Sequence, residues 1–399
     1  MSQPRASRRP RKRTEGFTLL ELMIALAIGA IVVATMYTLS GSSARAFQTQ
    51  QRISQLQLQT RLAMERVRRD VAATGFGGTP DSQRERSCFT RGILTPLLGV
   101  QLTDHDPAAT AALATMPGAA SAATHGDRLR LLGNMVTSDT YLIANTGAAN
   151  GSSVLLQSNW QAFRRTFAAD PLGMAVDPAL FATVFQAGTV LHITHPRGYH
   201  FFTVSGGGTV DSAGRTPLVM VNPPLPALDE CNFSLCVGCQ VSPLTLIEYG
   251  IDTAANTVPA LVPNDPAVVG TNTILYRRQL NPVTGAVLPG TTRAVLEYAV
   301  NFDVQVVYDR LPAGNAPILI GPVAAIPVGS ESRVRALQID LAARTPDTDP
   351  SYPWPLPGTR NPAVDPLTAF QVFSDRPGSA RVRRSVAEFV LENLALRGL

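Results

Sequence analysis

No proline interrupts the chain between Pro10 and Pro80, although 31 prolines are spread through its 399 residues. Proline removes a helix donor and clashes with the preceding turn, so this gap leaves room for one long, unbroken helix. Charge is scarce, at 16% of residues, and aromatics make up only 6%. With 31 glycines beside the prolines, that composition argues against a helical bundle and suits a β-rich, loop-rich exported domain. Basic excess is also missing once the N-terminus is set aside. The formal charge is +5, yet residues 1–16 hold Arg5, Arg8, Arg9, Arg11, Lys12 and Arg13 against Glu15 alone. Residues 17–399 carry 28 basic and 28 acidic side chains, which removes the basis for a nucleic-acid or anionic-surface role.

What is present begins at Gly16. From Phe17 to Leu39 nearly every residue is apolar or small, enough at about 1.5 Å per residue to cross a hydrocarbon core. The basic leader ahead of it holds the N-terminus in the cytoplasm while the rest crosses. One acid, Glu21, lies inside the run. A carboxylate there costs roughly 2.5–3.5 kcal/mol on insertion scales, so it calls for a compensating partner. Further on, Ile53, Leu56, Ala63, Val67 and Val71 recur at helical spacing, with Arg61, Glu65, Arg68 and Arg69 on other faces. Gly75-Phe76-Gly77-Gly78 then ends the pattern. The expectation is a leader over 1–16 and a long N-terminal helical region over 17–78, its helix running from about Phe17 to Thr74 and on the order of 85 Å long. Its first half (17–39) is apolar all round, and its second half is amphipathic and packs on a sheet.

Gly16-Phe17, with Glu21 five residues into the mature chain, resembles the prepilin peptidase site of type IV pilins and the related pseudopilins. The resemblance implies cleavage after Gly16 and N-methylation of Phe17. It also implies subunit assembly through Glu21, paired with the Phe17 amine of a neighbouring subunit. The alternative is an ordinary signal anchor or signal peptide, neither of which needs a Glu at that distance from a Gly-Phe pair. Many major pilins carry a helix-loosening proline in this segment; Gly29 and Gly41 are weaker substitutes here.

Residues 79–399 read as a periplasmic or extracellular β-rich domain. Thr79 to Gly126, rich in Ala, Pro, Gly and Thr, reads as surface loop. Strand-like runs come next at Asp127–Leu132, Thr189–Thr194, Tyr199–Val204, Leu244–Tyr249, Thr273–Arg278, Phe302–Tyr308 and Arg333–Ala343. Phe302, Val304, Val306 and Tyr308 alternate with polar residues, as do Leu337, Ile339 and Leu341, which marks half-buried antiparallel strands. Ser385–Leu396 fits a strand or a helix, and the resemblance of this ending to a closing pilin strand favours the strand. Pro346–Pro366, with seven prolines, reads as extended loop. Asp127–Leu131, Ile274–Arg277, Val295–Tyr308 and the ending Val386–Gly398 resemble, in that order, blocks of PilW-type minor pilins. The resulting fold class is α+β, a long N-terminal helix on an antiparallel sheet in the type IV pilin manner. At this length, enlarged loops or a second β lobe are expected around Asn134–Pro243.

Cys231, Cys236 and Cys239 cluster, with Cys88 far upstream. In an oxidising compartment, four cysteines read as two disulfides with three possible connectivities, Cys88 joining one of the cluster. A four-cysteine zinc site is the alternative, but only Cys236 and Cys239 have knuckle spacing. His192 to His200 is the best metal candidate, yet strand alternation turns His192 and His195 opposite ways, and a strand–turn–strand reading serves better. Gly206-Gly207-Gly208 lacks a following Lys-Ser/Thr and reads as a turn. Asp303, Asp309, Asp347 and Asp349 lack calcium-loop spacing. Trp160 and Trp354 read as buried packing. No metal, cofactor or catalytic residue is expected, and no enzyme.

The resemblance implies a minor pilin incorporated at or near the tip of a type IV pilus that helps initiate assembly, with roles in twitching motility and adhesion. Implied partners are other minor pilins, the major pilin, a tip-associated adhesin, the inner-membrane assembly platform and the prepilin peptidase. The protein would reside in the inner membrane as a single pass before assembly, then in the pilus at the cell surface. The alternatives are a J-class pseudopilin of type II secretion and a pilus-borne adhesin or ligand-binding module.

Overall fold

The computed structural model describes residues 18–76, 99–118, 124–137, 139–145, 152–170, 175–196, 198–211, 216–222, 236–262, 270–308, 318–320, 334–350, 352, 354, 367–375 and 378–395. The chain divides into two compact units, Met1–Gln55 and Leu56–Leu399. A single helix, α1 (Leu19–Ala73, 55 residues), runs through both without a break. In the first unit every residue from Thr18 to Ala44 is exposed, including Leu19, Leu20, Met23, Ile31 and Val33. In the second, Leu56, Ala63, Met64, Val67 and Val71 are buried on one helix face, as the spacing predicts.

The first sheet has ten strands. They are β1 (Val100–Thr103), β2 (Arg128–Gly133), β3 (Tyr141–Asn145), β4 (Ser153–Leu156), β5 (Val190–His195), β6 (Gly198–Val210), β7 (Pro217–Asn222), β8 (Gln240–Thr253), β9 (Thr273–Leu280) and β10 (Arg293–Glu297). Strand β8 organises them. Its first residues pair with β3 and β5, and its later ones with β2 and β9. The chain of antiparallel pairings β8-β3-β4-β7-β6-β5-β8 closes on itself into a six-stranded ring. Pro243 lies where β8 leaves β3 and has not yet met β2, a position where a missing N–H breaks no ladder on that side. This ring is the second β lobe expected between Asn134 and Pro243.

Two short helices, α3 (Gln161–Phe167) and α4 (Pro178–Val184), fill the ring's core with Phe163, Phe167, Phe181 and the adjoining Phe185; Tyr141 packs on Phe163, Phe167 and Phe185, and Phe181 packs on the other three phenylalanines. Here the triple glycine is not a turn. Gly206–Gly208 lies inside β6, where the register with β7 shifts between Val204 and Gly208. A Cβ on Gly208 would come within 2.8 Å of Phe181 and Phe185, so the glycine lets α4 lie against the strand.

The second sheet is β12-β11-β13-β15-β14, built from β11 (Ala299–Tyr308), β12 (Ile318–Ile320), β13 (Val334–Arg344), β14 (Ala369–Phe370) and β15 (Ala380–Val390). The second half of α1 shares one core with Leu129, Leu131, Ile247 and Tyr249 of the first sheet and Val304, Leu337, Ile339 and Leu341 of the second. The fold is thus α+β, with a pilin-like helix-and-sheet body and an extra β lobe. The ambiguous C-terminal run resolves as strand up to Val390, followed by a short helix at Glu392–Ala395.

Two further expectations are corrected. The stretch read as loop from Thr79 to Gly126 contains β1 and a helix, α2 (Pro107–Ala114). Its alanines are good helix formers, Pro107 opens its first turn, and Ala109, Ala112 and Leu113 are buried. Trp160, expected in the core, is 41% exposed just ahead of α3, whereas Trp354 packs partly buried against the main core. Cys88 and most of the proline-rich stretch lie outside the described residues.

Candidate functional site

The N-terminal turn of α1 is built by a short local motif. Thr18 Oγ1 accepts from the Glu21 amide at 3.2 Å, while the Glu21 carboxylate accepts from Thr18 N at 3.0 Å and Thr18 Oγ1 at 3.1 Å. This reciprocal capping box satisfies helix amides that have no intrahelical acceptor and fixes the carboxylate at the helix start. The Thr-x-x-Glu spacing is the sequence signal for it. Gly16 and Phe17 lie outside the described residues. Below the cap, Ala25, Gly29, Ala30 and Ala34 line a shallow apolar groove with Leu26, Val33 and Tyr37. Small residues of this kind let two helix backbones approach closely. The helix is also long and apolar enough to cross a membrane.

In the other unit, α1 is tied down by a buried charge. Asp70 Oδ2 accepts from Tyr249 Oη and from Arg277 Nε, each at 2.6 Å. All three residues are buried; burial first, then the neighbouring Asp70 carboxylate, raise the Tyr249 hydroxyl and keep it protonated. The helix end is held as well. Gly75 N donates to Leu132 O, and Asn393 Nδ2 donates to Ala72 O. Asp70, Arg277 and Tyr249 are far apart in sequence, and nothing in their spacing announces the cluster.

The sequence's metal candidate behaves as strand and hairpin. His192 packs on Tyr199 and Phe201, and His200 sits edge-on to Phe202, on different core clusters. Burial pushes His200 down to about 4, so it is neutral at pH 7. His195 lies near Cys236 and Cys239, but those two form a disulfide with Cα atoms 5.4 Å apart. Sulfurs joined to each other are not thiolate ligands, so the four-cysteine zinc alternative loses two of its donors. Cys231 and Cys88 lie outside the described residues. A second group, Asp104, His105, His125 and Asp127, is hidden in the sequence because its halves are separated by a segment that reads as loop.

Residues 11–37 match the prokaryotic N-terminal methylation motif family. Comparison with curated proteins and with solved structures gives no match. The match covers the end of the basic leader, the Gly16-Phe17 junction, the Thr18–Glu21 cap and the start of the apolar helix. This is a prepilin-type N-terminus, of the type IV pilin-like and pseudopilin kind. Such an N-terminus implies processing by a prepilin peptidase, membrane anchoring before assembly, and pilus-related partners.

Proposed function

We propose that the chain is a minor pilin of the PilW type, placed at or near the tip of a type IV pilus, where it helps start assembly. The observation that carries this reading is the exposed apolar stretch Leu19–Leu39 headed by a carboxylate pinned in its first turn. That surface is at home in lipid or against like helices, and moving between the two changes little for its apolar atoms. Selection of the right neighbour then falls to the small residues of the groove and to Glu21. An ion pair between Glu21 and a neighbour's Phe17 amine gains Coulomb energy but loses hydration, so it sets register more than raw stability. The closed β lobe enlarges the head, and a large head is best accommodated where no further subunit stacks beyond it. The role is structural and needs no catalysis. It would take in other minor pilins, the major pilin, a tip adhesin and the assembly platform, and serve twitching and adhesion.

The test is Glu21→Ala. The variant should be exported, cleaved and folded, with unchanged membrane levels, yet fail to enter filaments and lower the number of surface pili. Glu21→Asp should be intermediate. Mass spectrometry of filament-associated protein should show a methylated Phe17; an intact leader there would reject the reading. Loss of protein secretion with normal twitching in a deletion strain would assign the chain to a secretion pseudopilin instead.

A further inference from the structure

We propose that Asp104, His105, His125 and Asp127 form a structural zinc(II) site that ties the first sheet to the second. Asp104 and His105 leave the end of β1, and His105 holds a left-handed backbone with φ of 50°. His125 to Asp127 runs beside the start of β11, with Phe302 N donating to His125 O and Asp127 N donating to Phe302 O. The two segments are also laced together, since Asp106 N donates to Gly126 O. The four side chains therefore meet at a corner fixed by backbone hydrogen bonds to β11 of the second sheet and to the segment that follows β1 of the first.

One ligand atom from each residue can be chosen so that all four lie within 4.8 Å of one another. Tetrahedral zinc with bonds of about 2.0–2.2 Å needs ligand atoms roughly 3.3–3.6 Å apart, a closure that side-chain rotation can supply. His105, with its side chain 54% exposed, has the freedom to make it. The donor set of two imidazoles and two carboxylates suits zinc better than calcium or magnesium, which prefer all-oxygen shells. Asp127 already accepts from His105 N at 3.1 Å and Val304 N at 2.8 Å, which orients its carboxylate and leaves each oxygen a second lone pair. His105 Nδ1 lies 2.7 Å from Asp104 Oδ1. The imidazoles of His105 and His125 stand with centroids 4.7 Å apart.

An independent observation points the same way. His125 Nδ1 is buried without a hydrogen-bond partner, and so is Oδ1 of Asp303, the residue between Phe302 and Val304. Buried polar atoms are nearly always partnered, so two orphans at one corner call for an ion or water. Four protein ligands fill a tetrahedral shell and leave no open position for a substrate. The site is structural, not catalytic.

The experiment uses the untagged, oxidised, full mature chain in detergent, with zinc chloride as the probe. One zinc per chain should survive dialysis, raise the melting temperature and be removed by chelator; cobalt(II) should give the visible bands of a tetrahedral site. His105→Ala, at an exposed position, should keep the wild-type circular dichroism while losing affinity by about 100-fold or more, beyond the 10–100-fold typical of outer-shell changes. His125→Gln should do the same, and His195→Ala should bind zinc normally. No retained zinc, zinc retained by both the His105 and His125 variants, or loss on His195→Ala would each overturn the assignment.

Discussion

Replacing Asp70 by alanine should be among the most damaging single changes to the domain. Asp70 accepts from Arg277 Nε and Tyr249 Oη at 2.6 Å each, and the three residues are at most 8% exposed. Removing the carboxylate strands a buried guanidinium and leaves a buried hydroxyl without its acceptor. Breaking a buried pair from one side costs about 3–5 kcal/mol, against a typical total stability of about 5–15 kcal/mol. In urea titrations of the full chain in detergent, the midpoint for Asp70→Ala should fall while the slope stays unchanged. Asp70→Asn keeps an acceptor for Tyr249 but not the charge, and should lie between. Adding Arg277→Met to Asp70→Ala removes the stranded cation, so the double variant should be more stable than Asp70→Ala alone. A loss below about 1 kcal/mol for Asp70→Ala, or a double variant no better than the single one, would refute the buried-charge reasoning.

His200 is held near 4 when folded and titrates near 6.5 when unfolded, so the unfolded chain takes up the proton first; stability should be full above about pH 6.5 and fall by on the order of 2–3 kcal/mol towards pH 4. His200→Gln should flatten that slope, as read by melting temperature against pH. Gly208→Val should lower the melting temperature by forcing α4 away from β6, with a cost of about 1–3 kcal/mol by overpacking, whereas Gly206→Ala, whose Cβ meets only Met220 at 3.5 Å, should be far milder. Non-reducing peptide mapping should recover Cys236 joined to Cys239, with Cys88 joined to Cys231. The short Cys236–Cys239 loop should contribute about 2 kcal/mol in the chain-entropy picture and the long one about 4–5 kcal/mol, so reduction should be felt mainly through Cys88.

The parts legible in the sequence are those governed by short periods. A proline-free run with apolar residues every three or four positions marks α1, and alternation marks β11 and β13, because both patterns reflect which way successive side chains point. Where two physical causes produce similar composition, pattern alone misleads. Ala-rich Pro107–Ala114 is equally compatible with an exposed loop and a short buried helix, and its fate depends on Leu113 finding the main core. Glycines in a row mark a turn as readily as a strand with a helix pressed on it, and only Phe181 and Phe185 decide between them. The Asp70 cluster and the Asp104–Asp127 corner are invisible in sequence because their members converge only after the sheets form.

The Thr18–Glu21 cap changes how the acid in the apolar run should be understood. A carboxylate that already accepts from an amide and a hydroxyl is not a bare charge waiting for a partner. Each such bond lowers the cost of keeping the acid near the membrane surface, so the precursor can wait in lipid without a neighbour. If a neighbouring subunit's amine pairs with Glu21, as proposed above, the same bonds restrict where that amine can meet the carboxylate. A neighbour's ammonium displaced by one helical turn would lie about 5.4 Å farther along the axis, beyond hydrogen-bond reach, and would keep only a weaker long-range attraction. On this view the cap and the small-residue groove act together. Ala25, Gly29, Ala30 and Ala34 allow close approach over a range of sliding positions, and the pinned acid selects one of them.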